Sequence, residues 1–124
     1  MPSLRDALRK SLRKMKLGKI YEATDGNHGF EKAISHAEDP DGAKFDLIFT
    51  DFNMPNCTGL ELLKKLRESA HYADTPIFMV TTENEASVVL ESIEAGASEY
   101  IIKPFDDNTV KTKVLSVMKK NKME

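Results

Sequence analysis

Three short apolar runs, each stopping at a polar residue and each separated from the next by a helix-length amphipathic segment, constrain this chain more than any other feature. Phe45, Leu47, Ile48 and Phe49 lead to Asp51; Pro76-Ile77-Phe78-Met79-Val80 leads to Thr81-Thr82; Glu99-Tyr100-Ile101-Ile102 leads to Lys103-Pro104-Phe105. Nearly continuous apolar runs of this length mark strands covered on both faces. Their alternation with helical patterns argues for a parallel sheet with helices on both sides. In open sheets of that kind, ligands and chemistry gather outside the carboxyl ends of the strands. A carboxylate, a hydroxyl and an ammonium are therefore expected along one edge. Each also has a plainer use: Asp51 as a turn residue, Thr81 as a good strand former, Lys103 as a solvated charge.

The intervening segments read as helices. Ser3 can cap a first helix with Leu4, Ala7, Leu8, Leu12 and Met15 on one face, opposite Arg5, Arg9, Lys10, Arg13 and Lys14. Lys19 to Ala23 reads as a further strand, left through the turn Asp25-Gly26. A second helix is expected over roughly 27–37, followed by the turn-forming loop 38–42. Thr58 is a plausible cap for a third helix carrying Leu60, Leu62, Leu63 and Leu66. Helix four uses Val88, Val89, Leu90 and Ile93 and stops at Gly96. Helix five starts at Asp107 or Asn108 and presents Val110, Val114, Leu115, Val117 and Met118 to the sheet.

At 124 residues with a net charge of −2, the chain is expected to form one domain over 1–124 and has no general electrostatic reason to bind nucleic acid. No apolar stretch approaches the ~20 residues of a membrane span, and the basic N-terminus lacks the apolar core of a signal peptide. A single cysteine, Cys57, excludes an intrachain disulfide framework, which points to the cytoplasm. His28, His36 and His71 show no metal-ligand spacing and are expected to be surface or helix residues. The lysines near the C-terminus most simply form solvated faces, though they could steer an acidic partner.

Together, DFNMP with Gly59, MVTTE and GASEYIIKPF resemble the receiver domains of two-component response regulators, most closely the stand-alone chemotaxis (CheY-like) type, from about Ser3 to the C-terminus. The resemblance implies a flavodoxin-like, doubly wound parallel sheet in three αβα layers. It also implies a signalling switch of a two-component phosphorelay, with chemotaxis as one setting, and not an enzyme beyond self-catalysed phosphorylation and dephosphorylation. In that reading Asp51 is the phosphoacceptor for a histidine kinase, Thr81 bonds a phosphoryl oxygen, and Lys103, followed by Pro104, pairs with Asp51 and then with the phosphoryl group. Tyr100 is the switch aromatic, turning from exposed to buried, and Asn53 and Glu83 tune turnover. A downstream target is expected at helix four, the last strand and helix five.

One element of the family is missing. Receivers begin with an apolar strand ending in two acidic residues, whereas this sequence enters its first helix at once. A start downstream of the natural one is the preferred expectation; a gap filled by another subunit, through dimer formation or strand exchange, and a rearranged N-terminus are the others. Of the family's Mg2+ ligands only Asp51 and the backbone carbonyl of Asn53 remain, so Mg2+ binding and phosphorylation are expected to be weak. Two other classes compete: a receiver-shaped interaction module that takes no phosphate, and a small flavodoxin-like cofactor protein. The latter is disfavoured because no Gly-rich or Ser/Thr-rich phosphate loop follows a strand.

Overall fold

The computed structural model describes residues 4–15, 20–23, 26–40, 44–51, 58–81, 86–103 and 105–121. In chain order the elements are α1 (Leu4–Lys14), α2 (Gly26–Glu38), β1 (Ile48–Asp51), α3 (Gly59–Glu68), β2 (Ile77–Thr81), α4 (Ala86–Glu94), β3 (Glu99–Ile102) and α5 (Asp107–Asn121). The three strands form one sheet in the order β1-β2-β3, parallel throughout. This is the flavodoxin-like αβα arrangement, without the family's first strand among the described residues.

Strand parity divides the core. Because successive strand side chains point to opposite faces, Ile77 and Met79 fall with Tyr100 into one buried cluster, and Phe78 and Val80 fall with Ile101 into another. The first cluster is completed by Ala33 of α2 and Leu62, Leu63 and Leu66 of α3, with Val88 and Val89 of α4 packed against it. The second takes Leu12 of α1 and Val110, Val114 and Val117 of α5. Phe49 and Phe78, opposite each other in the ladder, stack at 4.4 Å on the α1/α5 side.

The strand expected over 19–23 is not formed: Lys19 lies outside the described residues, and residues 20–23 have no ladder assignment. The reason is geometric. In the flavodoxin-like order that segment pairs only with the first strand, and with no such strand among the described residues a β-forming sequence has no ladder to join. Side chains hold it instead. Arg9 of α1 donates to the Glu22 carboxylate at 2.8 Å, Lys32 of α2 donates to the Glu22 carbonyl at 2.5 Å, and the Tyr21 ring meets His36 edge-on at 4.6 Å and Phe45 at a tilt at 5.3 Å. Phe45 also enters no ladder. Its N–H donates to the Tyr72 hydroxyl at 3.2 Å, so β1 begins three residues later than the apolar run does. His36, expected to be a surface or helix residue, lies in α2 and is half-buried between the Tyr21 and Phe45 rings.

The amino ends of the strands are tied together by Arg67, in the last turn of α3. Its guanidinium donates to the carbonyls of Tyr72, Ala73, Thr75 and Gly96 at 2.7–3.2 Å and to Ser98 Oγ at 3.3 Å. Burial lowers its pKa, opposed by the charge of Asp74, but the group stays cationic. Gly96 makes this approach feasible. It ends α4 in a Schellman turn, with Ala97 N–H on Ser92 O and Gly96 N–H on Ile93 O, both at 3.0 Å. Its φ is +113°, and a Cβ there would meet Arg67 Cγ at 2.9 Å. Tyr72, fully buried, closes the same end by donating its hydroxyl to Ala33 O at 2.6 Å.

Candidate functional site

The carboxyl ends of the three strands carry the residues that the sequence singles out. Asp51 is the last residue of β1, Thr81 the last of β2, and Lys103 directly follows β3. The register pairs Asp51 with Val80 and Thr81 with Ile102, so the three positions step outward by one residue per strand. With strands ~4.8 Å apart and a rise of ~3.3 Å per residue, neighbouring Cα atoms in this series are about 6 Å apart. Asp51 and Lys103 are half-buried. Asn53, Glu83, Pro104 and Cys57 lie outside the described residues.

Local chemistry fixes what surrounds this edge. The segment after β1 ends in a capping box: Glu61 N–H donates to Thr58 Oγ1 at 3.2 Å, and Thr58 N–H donates to Glu61 Oε1 at 2.9 Å. That second bond holds the Glu61 carboxyl below its ordinary pKa. The segment after β3 is closed by Asp106, whose Oδ1 accepts the Thr109 N–H at 2.7 Å, an N-cap that also lowers its pKa. The next residue, Asp107, accepts from Ser11 Oγ and Lys14 Nζ of α1, each at 2.5 Å. These bonds pull its pKa down, Lys14 most strongly.

Tyr100 is 4% exposed and packs in the cluster under α3 and α4. Its N–H donates to Glu99 Oε1 at 2.9 Å, and the same oxygen accepts from Lys113 Nζ of α5 at 3.3 Å. Leu90 and Ile93 of α4, Ile102 of β3 and Leu115 of α5 are large apolar side chains between 40 and 58% exposed. Sequence reasoning did not single out the Glu99–Lys113 pair or the Asp107 contacts with α1. Their partners are 14 and more than 90 residues apart, and no spacing rule connects them.

Among the described residues, no three of His, Cys, Asp and Glu group as metal ligands. A donor set resting on the Asp51 carboxylate suits a hard cation held mostly by water and phosphoryl oxygens, as Mg2+ commonly is, and does not suit an all-protein cage. No helix among the described residues is long and apolar enough to cross a membrane.

Comparison with known proteins agrees on one family. The sequence model of the response regulator receiver domain matches residues 1–115. The chemotaxis protein CheY1 of Helicobacter pylori is 31% identical over 119 residues, covering 96% of this chain and 91% of that protein. Among solved structures, the chemotaxis response regulator CheY4 of Vibrio cholerae superposes with a TM-score of 0.80 at 32% identity, covering 94% of this chain and 91% of that one. The receiver domain of the sensor histidine kinase PA1611 of Pseudomonas aeruginosa PAO1, with magnesium coordinated in its active-site cleft, gives a TM-score of 0.77 at 17% identity. It covers 93% of this chain and 88% of that one, and at that identity it shows the fold alone.

Proposed function

Because this chain belongs to the response regulator receiver domains, which are signalling switches of two-component systems and not enzymes in the usual sense, we propose that Asp51 accepts a phosphoryl group from a histidine kinase and that the chain signals by changed protein binding. The observation that carries this reading is the placement of Asp51, Thr81 and Lys103 at the carboxyl ends of adjacent parallel strands.

In the proposed reaction an Asp51 carboxylate oxygen attacks the phosphorus of a phosphohistidine. The P–O bond forms as the P–N bond breaks, the electron pair returns to the imidazole, and Asp51 becomes an acyl phosphate. The barrier is lowered by alignment and by neutralising charge on the equatorial oxygens, with little covalent help. Lys103 pairs with Asp51 before transfer and with the phosphoryl oxygens afterwards. Thr81 donates its hydroxyl to one of those oxygens. Mg2+, which Asp51 and the carbonyl of Asn53 would help hold, supplies further neutralisation when bound; with one carboxylate as its ligand, its affinity is low. Asn53 and Glu83 tune the access of water to the acyl phosphate.

Output follows from a two-state equilibrium. The buried Tyr100 represents one state, and phosphate shifts the balance through contacts that Thr81 makes better in one state than in the other. The exposed apolar residues of α4, β3 and α5 are the surface offered to a downstream target. In this reading the chain is a single receiver domain working in the cytoplasm, with chemotaxis the favoured pathway class and neither nucleic acid nor membrane as a partner.

The test is the intact mass of the chain after exposure to acetyl phosphate with and without Mg2+, beside Asp51→Asn. A slow, Mg2+-dependent gain of one phosphoryl group, absent from the variant, is expected. No gain by a chain shown to be folded would replace the switch with a phosphate-independent interaction module.

A further inference from the structure

We propose that Asp107 is a positioning residue for Lys103, acting through a clamp between α1 and α5; the proposal rests on the reading of Lys103 as the cation of the phosphoryl site. Only residues 103–106 separate the last residue of β3 from the first of α5. The upstream anchor of this connector is Ile102, held in the ladder opposite Thr81. The downstream anchor is Asp107, whose Oδ1 accepts from Ser11 and whose Oδ2 accepts from Lys14, each at 2.5 Å. Between them Phe105 packs against the α1/α5 cluster. Lys103 thus sits one residue from the first anchor and four from the second, and small misplacements of a catalytic group are costly in rate.

An acidic residue at the start of a helix has an ordinary use, favourable interaction with the helix dipole. Asp107 is used differently. The cap of α5 is already supplied by Asp106 through the Thr109 N–H. Both Asp107 oxygens are spent on another helix, and the Ser11 side is buried at 4% exposure, where water competes poorly for the bond. The clamp therefore transmits the position of α1 to the connector that bears Lys103.

The test compares phosphoryl uptake from acetyl phosphate, per folded molecule, in wild type, Asp107→Ala, the pair Ser11→Ala/Lys14→Met, and all three changes combined. Breaking the clamp from either side is expected to slow uptake roughly fivefold, the scale of losing one ion pair with its supporting hydrogen bond. The triple variant should be no slower than either parent, because both changes remove the same interaction. A pure dipole role predicts that only Asp107→Ala slows uptake, and that result, additive losses or unchanged rates would overturn the clamp. Backbone amide resonances of Lys103, Phe105 and Asp106 give a second readout. They should shift in the variants while those of α2 and α3 stay in place, and unshifted resonances would also overturn it. If wild type takes up no phosphoryl group, the reading of Lys103 fails, and the amide resonances still decide whether the connector is held by the clamp.

Discussion

At the amino ends of β2 and β3 a single guanidinium serves five acceptors, whereas at their carboxyl ends Thr81 closes one strand and Lys103 follows the other. The first end is an exercise in satisfaction: carbonyls left over by α4 and by the loop before β2 are collected by Arg67, and Gly96 leaves space for it. The second end carries polar residues of three kinds, Asp51, Thr81 and Lys103, and its helix starts are capped locally by Thr58 and Asp106. A parallel sheet needs both ends. In the proposed reading, stability gathered at one end allows the other to hold charged groups whose value lies in what they bind.

Substitutions can break this division or sharpen it. Arg67→Ala should have the largest effect, a loss of about 3 kcal/mol read as a lower urea midpoint, because several partly buried carbonyls lose a charged donor; phosphoryl uptake per folded molecule should not change. Gly96→Ala should cost about 2 kcal/mol, combining a positive φ with the 2.9 Å approach to Arg67 Cγ. Its cost should shrink in the Arg67→Ala background, so a double-mutant cycle separates the contact from the backbone conformation. Tyr72→Phe should lose about 1.5 kcal/mol, since Ala33 O and Phe45 N–H are then left without the hydroxyl.

Thr75→Val reverses the sign. Thr75 Oγ1 is buried with no hydrogen-bond partner among the described residues, and replacing the hydroxyl by a methyl should stabilise by up to about 1 kcal/mol in the same urea assay. The smallest expected effect is the pH response of the carboxyl end. Glu61, Asp106 and Asp107 all have pKa values below their ordinary ones because their charged forms accept hydrogen bonds. Their contribution is therefore complete above the ordinary carboxylate range and lost as pH falls through it towards the folded values. All three are exposed, so the acid-side slope of the urea midpoint should be shallow and should flatten further in high salt. A steep slope, or one carried by the amino end, would contradict the division.

Much of this was legible in the sequence because apolar runs and caps are local signals. The ends of β1, β2 and β3, the Thr58 cap, the stop of α4 at Gly96 and the start of α5 at Asp107 all follow from neighbours within a few residues. The segment 19–23 misled for the same reason: its composition favours a strand, but a strand is completed by a partner elsewhere. Arg67 was invisible because, in Lys-Lys-Leu-Arg-Glu, it reads as one more charge on a solvated helix face. Its partners are carbonyls, which every residue type carries. The polar ends at Asp51, Thr81 and Lys103 were legible as a pattern, while the contacts of Asp107 with Ser11 and Lys14 required knowing that α1 and α5 share a face.

The strict alternation of Ile77, Phe78, Met79 and Val80 between two cores has a consequence for how such a chain can change over generations. The α1/α5 layer and the α2/α3/α4 layer exchange few side chains across the sheet, so each can be repacked while its counterpart keeps its own fit. The strands alone answer to both neighbourhoods at once. Such a molecule can acquire a new recognition surface on one side without renegotiating the other, and a one-residue slip of β2, which would swap every one of its side chains between compartments, is the change it can least absorb.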